Sequence, residues 1–264
     1  MQVFADDGTR VDVRIDGSDG TPIVLIAGFP LTRDIWNSQA DALAKHHRVI
    51  RPDLRGIGKS GVPGGPYLME TLAADVAAVL DALGFERCAI AGHSLGGYVG
   101  LSFARMFTER VTHLALVCSR LAADSPEQAA ARRRIADRIE FEGSMRPALD
   151  AYVPRLTAAQ TLVQRPDLIE LVGEIGARID PRGAAAMLRG MAMRSAADDI
   201  APDLDVPVLV VGGGRDAVIS LEEAQATARA FPRGRLVVCE RSGHLPMLEE
   251  PDVLTEALAA WLND

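Results

Sequence analysis

Ser94 stands in Gly92-His93-Ser94-Leu95-Gly96, a G-x-S-x-G spacing that follows the apolar run Cys88 to Ala91 and precedes a helical pattern. The spacing has a steric reason. A strand turning sharply into a helix leaves no room for side chains beside the apex, so glycines flank it and the serine projects its hydroxyl outward. The following helix aims its first N–H groups at negative charge formed beside that hydroxyl. A serine hydroxyl needs a base to become a useful nucleophile. Five histidines are available: His46, His47, His93, His113 and His244. The first two open a strand and His113 lies beside one, while His93 is inside the turn and must point away from the serine. His244, in Ser242-Gly243-His244-Leu245-Pro246, leaves the final strand on a loop at the sheet's C-terminal edge. It is the expected base. Its imidazole requires a carboxylate to fix the tautomer, and Asp216, after Gly212-Gly213-Gly214-Arg215, shares that edge. Asp203 and Asp205 precede their strand and fall at the wrong end, and Asp53 reads as a loop brace. Two amides are expected to hold the developing oxyanion: that of Leu95 and that of Phe29 in Ala27-Gly28-Phe29-Pro30.

The elements that must position these groups follow from periodicity. Val11 to Asp16 alternates and reads as a half-exposed antiparallel strand, with Met1 to Phe4 paired to it across Asp6-Asp7-Gly8. Ile23–Ala27, Val49-Ile50, Cys88–Ala91, Leu114–Cys118, Val206–Val211 and Leu236–Cys239 are apolar, as strands buried on both faces are. Helical patterns over Ile35–Lys45, Leu68–Leu83, Leu95–Phe107, Leu221–Ala230 and Pro251–Leu262 separate most of them. This alternation predicts an α/β fold with a doubly wound, mostly parallel sheet. From 121 to 201 no strand is readable, and prolines 126, 147, 154, 166 and 181 punctuate helical stretches, often near a first turn. The expected organisation is a core of residues 1–120 and 202–264, with residues 121–201 inserted after the sixth strand as a helical cap above the ligand-binding edge.

The composition excludes several classes. The chain has 28 Lys and Arg against 36 Asp and Glu, a net charge of -8, and 48% hydrophobic residues. That balance argues against nucleic acid or an anionic membrane surface as partner. No apolar run approaches a membrane span and no signal core stands at the N-terminus, so a cytoplasmic location is expected. Cys88, Cys118 and Cys239 show no C-x-x-C spacing and read as buried small hydrophobes rather than a disulfide or metal framework. Gly58-Lys59-Ser60 lacks the earlier glycine of a phosphate-binding loop, since Asp53 stands there.

Together, Gly28-Phe29-Pro30, Asp53-Leu54-Arg55-Gly56, Gly92-His93-Ser94-Leu95-Gly96-Gly97, Gly213-Gly214-Arg215-Asp216 and Gly243-His244-Leu245-Pro246 resemble the α/β-hydrolase superfamily, in its group of small capped esterases, lactonases and carbon–carbon hydrolases. The chain order Ser94, Asp216, His244 is the order of that fold. The resemblance implies a serine hydrolase that cleaves a small or medium, partly apolar carboxylic ester through an acyl-enzyme, without cofactor or metal. It leaves open a lactonase or carbon–carbon hydrolase on the same triad, a cofactor-free perhydrolase, and a non-catalytic small-molecule receptor. The family often has His where Ala27 and Ile57 stand.

Substrate contacts are less legible. Phe29, Phe141, Met145, Tyr152, Met187, Val218 and Leu245 are the expected lining. Arg132-Arg133-Arg134 with Arg138 forms a basic cluster that reads as a solvated helix face or a grip on an anionic substrate. Some esterases that the chain resembles act on acyl groups attached to acyl carrier protein, which makes that carrier a candidate partner.

Overall fold

The computed structural model describes all 264 residues. Eight strands form one sheet: β1 (Gln2–Phe4), β2 (Arg10–Asp16), β3 (Pro22–Ile26), β4 (Arg48–Pro52), β5 (Cys88–His93), β6 (Val111–Val117), β7 (Val208–Gly213) and β8 (Gly234–Cys239). Their order is β1-β2-β4-β3-β5-β6-β7-β8. β1 and β2 pair antiparallel, as does β2 with β4, and every remaining pair is parallel. The helices are α1 (Asn37–Leu43), α2 (Met69–Ala82), α3 (Leu95–Met106), α4 (Pro126–Glu142), α5 (Arg146–Leu156), α6 (Ala159–Gln164), α7 (Pro166–Ala177), α8 (Pro181–Met191), α9 (Leu221–Ala230), α10 (Pro246–Glu249) and α11 (Pro251–Trp261). No helix is long and apolar enough to cross a membrane.

The two-residue period of the strands divides the core. Ile23, Leu25, Ala89, Ala91, Leu209 and Val211 face one side, packed with Trp36, Ala40, Leu254 and Trp261 from the α1 and α11 region. Val24, Ile26, Ile90, Leu114, Val208 and Val210 face the other, against Leu72, Val76, Val99, Phe103 and Ala224 of α2, α3 and α9. The apolar strands are therefore buried on both faces, as their lack of alternation requires.

Between β6 and β7 the chain is helical throughout, α4 to α8. Pro126, Pro147, Pro166 and Pro181 each occupy a first turn, where the missing N–H costs nothing. Pro154 differs and lies inside α5. α8 is amphipathic and seats Ala184, Ala185, Met187, Leu188 and Met191 in the core. Its approach to the body of the protein is close enough that a Cβ on Gly190 would stand 1.7 Å from the Tyr67 carbonyl oxygen.

Gly190→Ala therefore inverts the usual rule that alanine favours a helix by up to about 1 kcal/mol over glycine. The expected result is destabilisation of about 1–3 kcal/mol, seen as a fall of about 3–10 °C in Tm by calorimetry. A Tm equal to or above that of the wild type would contradict this seating of α8.

Candidate active site

Parallel pairing brings the chemistry-bearing loops to one edge. β3 leads on one side to β4 and on the other borders β5, so the winding reverses between β3 and β5, where open α/β sheets leave a crevice. Ile26 pairs with Gly92 there, which sets the Gly28-Phe29 loop beside Ser94. A Cβ on Gly28 would lie 3.0 Å from the Ser94 Cβ and 2.5 Å from His93 Nδ1. Only glycine fits.

Ser94 itself has φ 49° and ψ -111°, a backbone conformation rare outside glycine. The turn is held from several directions. The Ser94 N–H donates to the Val117 carbonyl at 2.9 Å, and Ser119 Oγ donates to the Ser94 carbonyl at 3.0 Å. A Cβ on Gly92 would meet the Gly96 carbonyl oxygen at 2.1 Å, and one on Gly96 would meet the Ile26 carbonyl oxygen at 2.3 Å. These are the steric demands that the G-x-S-x-G spacing anticipates. The serine opens α3, and the amides of its first turn have no earlier helical carbonyl to bind.

Asp216 and His244 leave the ends of β7 and β8. His244 Nδ1–H donates to Asp216 Oδ2 at 2.8 Å, with both side chains almost fully buried. Burial opposes the charge of Asp216. The neighbouring imidazole and the amides of Val218 and Ile219, which donate to Oδ1 at 2.7 and 3.1 Å, overcome that and hold the carboxyl below its ordinary range. With Nδ1 committed, Nε2 is the ring nitrogen left to take a proton.

The His244 loop is fixed on three sides. Its N–H donates to the Leu156 carbonyl at the end of α5. Its carbonyl accepts from His93 Nε2–H at 2.8 Å. Glu249 gathers the amides of Gly243 and Ala158 and the Thr161 hydroxyl, tying α6 to the same loop. His93 therefore braces the His244 loop, a role that its place in the turn motif does not reveal. Glu249 escapes the sequence reading altogether. An acid five residues past the histidine, at the end of a four-residue helix, carries no signal of its own.

Cys118, at φ 48° after β6, lies under the pair. Its Sγ, a carboxylate oxygen of Asp216 and a ring nitrogen of His244 all lie within 4.8 Å of one another. Burial and the Asp216 charge push its thiol well above the ordinary value, so the proton stays on sulfur at neutral pH. All three cysteines are free and buried.

With an apex serine, a buried His–Asp pair and a glycine-cleared loop on one edge, the comparison with known proteins is decisive. Residues 23–257 match the model of the alpha/beta hydrolase family. The chain belongs to that family. A putative carbamate hydrolase RutD of Azorhizobium caulinodans is 31% identical over 250 residues, covering 93% of this chain and 92% of its own. A thermophilic esterase from Thermogutta terrifontis, solved with malate bound, is 37% identical with a TM-score of 0.95, over 100% of this chain and 97% of its own. The enol-lactonase of Burkholderia xenovorans LB400 is 29% identical with a TM-score of 0.92, over the whole of both chains.

Within this hydrolase, the expected substrate-lining residues separate. Phe29 and Tyr152 meet edge to face, with ring centroids 5.7 Å apart, and join the loop beside Ser94 to α5. Val218 is half-buried next to Asp216. Phe141 is a correction: at 93% exposed it points from α4 into solvent. Met145 and Met187 are buried in one hydrophobic cluster, together with Phe29, and Leu245 is buried in the other. Ala27 and Ile57, where the family often has His, line one small void of about 10 Å³ with Gly28, Leu54 and Leu95. The void has the size of a single water at most. Asp53 is a brace, accepting from the amides of Arg33 and Lys59. A surface cleft of about 610 Å³ around Asp81, Phe85 and Arg110 lies at the opposite, N-terminal ends of β5 and β6.

The brace His93 carries its own pH signature. Complete burial, with His244 adding to it, pushes its pKa from 6.5 down to about 3. Its Nδ1 has no partner. Unfolded chains take up a proton at this histidine below about pH 6.5 and the folded protein does not, so acidification favours unfolding between those values. Denaturant titrations at pH 7 and pH 5 are expected to show a loss of about 2 kcal/mol from this group, absent in His93→Gln. Equal pH dependence in the two proteins would contradict the assignment.

Proposed function

We propose that this protein is a serine hydrolase of carboxylic esters that works through an acyl-enzyme. The observation that carries the reading is the buried Asp216–His244 hydrogen bond, on the same edge as a serine held at the apex of a strand-to-helix turn. His244 Nε2 takes the proton of Ser94 as its oxygen attacks the carbonyl. Asp216 keeps Nδ1 protonated and stabilises the imidazolium that forms. The Phe29 and Leu95 amides hold the oxyanion. The tetrahedral intermediate collapses as His244 protonates the departing alcohol, and the same histidine then activates water to release the acid and regenerate Ser94. The helical segment 121–201 acts as a cap that supplies the far wall of the pocket, with Tyr152 against Phe29 as one of its contacts.

A cyclic ester is the second reading, supported by the enol-lactonase relatives, including one of Acinetobacter baylyi that is 27% identical over 98% of this chain. It needs the same residues, with the alcohol remaining tethered to the acyl group.

Ser94→Ala is expected to lose at least about 10³-fold in kcat on a short p-nitrophenyl ester while its circular dichroism and Tm stay those of the wild type. A fluorophosphonate probe should label the wild type at Ser94 alone. Retained turnover in Ser94→Ala, or labelling at another serine, would overturn the assignment.

A further inference from the structure

The G-x-S-x-G spacing ends at Gly96, yet the chain continues with a second glycine, Gly97, inside the first turn of α3. Glycine weakens a helix, so one placed there needs a reason in packing. A Cβ on Gly97 would lie 2.4 Å from Ser119 Oγ and 2.5 Å from Ser119 Cβ. The room is kept for Ser119.

Ser119 comes from the loop after β6. Cys118, just before it, has φ 48°, and it and Ser94 are the two residues other than glycine with a positive φ. That conformation is unfavourable for a residue with a Cβ. It carries the chain off β6 and back over the start of α3. The Val117 carbonyl, before the bend, accepts from the Ser94 N–H at 2.9 Å. Ser119 Oγ, after the bend, donates to the Ser94 carbonyl at 3.0 Å. One bend therefore grips the Ser94 backbone at both its polar groups. Ser119 is buried, so bulk water does not compete for the bond.

The grip matters because of what the carbonyl is joined to. The Ser94 carbonyl and the Leu95 N–H belong to one planar, trans peptide unit. In such a unit the two groups point in opposite directions, so fixing the oxygen fixes the aim of the N–H. Leu95 is the first residue of α3, and its N–H has no earlier helical carbonyl to bind. The same oxygen also accepts from the amides of Gly97 and Tyr98, at 2.9 and 3.2 Å. Those two bonds belong to the helix, and Ser119 adds the donor that comes from outside it. Hydrogen bonds to a carbonyl polarise its peptide and strengthen the N–H as a donor.

We propose that Ser119 is a positioning residue for hydrolysis. It holds the Ser94–Leu95 peptide so that the nucleophile and the Leu95 amide serve the same reacting carbonyl, and position 97 is glycine to admit it. The inference rests on the hydrolase reading above, with Leu95 as an oxyanion donor, and adds a residue to that same site. Ser119 acts through the peptide and not on the substrate. Its effect is felt as charge develops on the carbonyl oxygen, so it belongs to the transition state rather than to substrate binding.

The test is Ser119→Ala, with folding checked by circular dichroism and turnover followed on p-nitrophenyl butyrate. The expected result is a kcat lower by about tenfold or more with KM within about twofold of the wild type. An alkyl trifluoromethyl ketone, which forms a tetrahedral adduct with an active-site serine, should lose affinity by a similar factor, while inhibition by butyrate stays that of the wild type. A role in folding alone would not produce this split. Gly97→Ala keeps the hydroxyl but crowds it; it serves as a second variant should Ser119→Ala fail to fold, and the same split is expected. A kcat within about twofold of the wild type in either folded variant, or a loss carried by KM with the ketone bound as before, overturns the proposal and leaves the hydrolase reading standing. A wild type that neither cleaves the ester nor binds the ketone overturns the hydrolase reading instead.

Discussion

The structure's most demanding interaction is the hydrogen bond between the carboxylate of Asp216 and the imidazole of His244. Both groups are almost completely removed from water. A carboxylate in that position is tolerable only with several donors around it, and it has three: the Nδ1–H of His244 and the amides of Val218 and Ile219. Everything near the edge of the sheet serves that arrangement. The glycine-rich turn after β7 aims Asp216 inward, His93 supports the His244 carbonyl from below, and the end of α5 receives its N–H. Loosening any of these would leave a buried charge poorly satisfied, which selects for one conformation of the loop.

The sheet works as a ruler for the remaining groups. Because β3, β5, β6, β7 and β8 run parallel, their C-terminal ends line up, and Phe29, Ser94, Cys118, Asp216 and His244 follow one strand end each. The reversal of winding between β3 and β5 opens a crevice at the strand ends that lead to Phe29 and Ser94. The helical segment is stitched to the same edge by Glu249, by the carbonyl of Leu156 and by the Phe29–Tyr152 contact. The seating of the helical segment and the geometry of the His–Asp pair are therefore coupled, since they share these contacts.

Much of this was legible in the residues because the demands are local. Strands buried on both faces have to be apolar, and the turn at Ser94 has to have glycines, so both leave marks in consecutive positions. The helix over Leu221–Ala230 matches its expected bounds, closed by a Ser220–Glu223 capping box. What escaped depends on how a helix is rotated about its axis or on partners far away in sequence. Phe141 and Met145 are four residues apart, but α4 ends between them at a left-handed Gly143, and one faces water while the other is buried. Arg132 and Arg133 are adjacent, and only the first meets Asp124. Met187 has the helical spacing of a pocket residue and of a core residue alike, and spacing alone does not tell its burial. The braces His93 and Glu249 act through backbone groups of a distant loop, which no side-chain pattern announces.

On the proposed mechanism, bond cleavage passes through an ester of Ser94, formed with His244 as base. The direct measurement is acid-quenched intact-protein mass spectrometry with peptide mapping, taken within the first turnovers on p-nitrophenyl acetate. One acetyl group is expected on the peptide that contains Ser94, formed faster than steady-state turnover in the wild type and strongly slowed in His244→Ala. Steady release of p-nitrophenol with no acetyl group on Ser94 at any time, or an acetyl group carried by another residue, would contradict it.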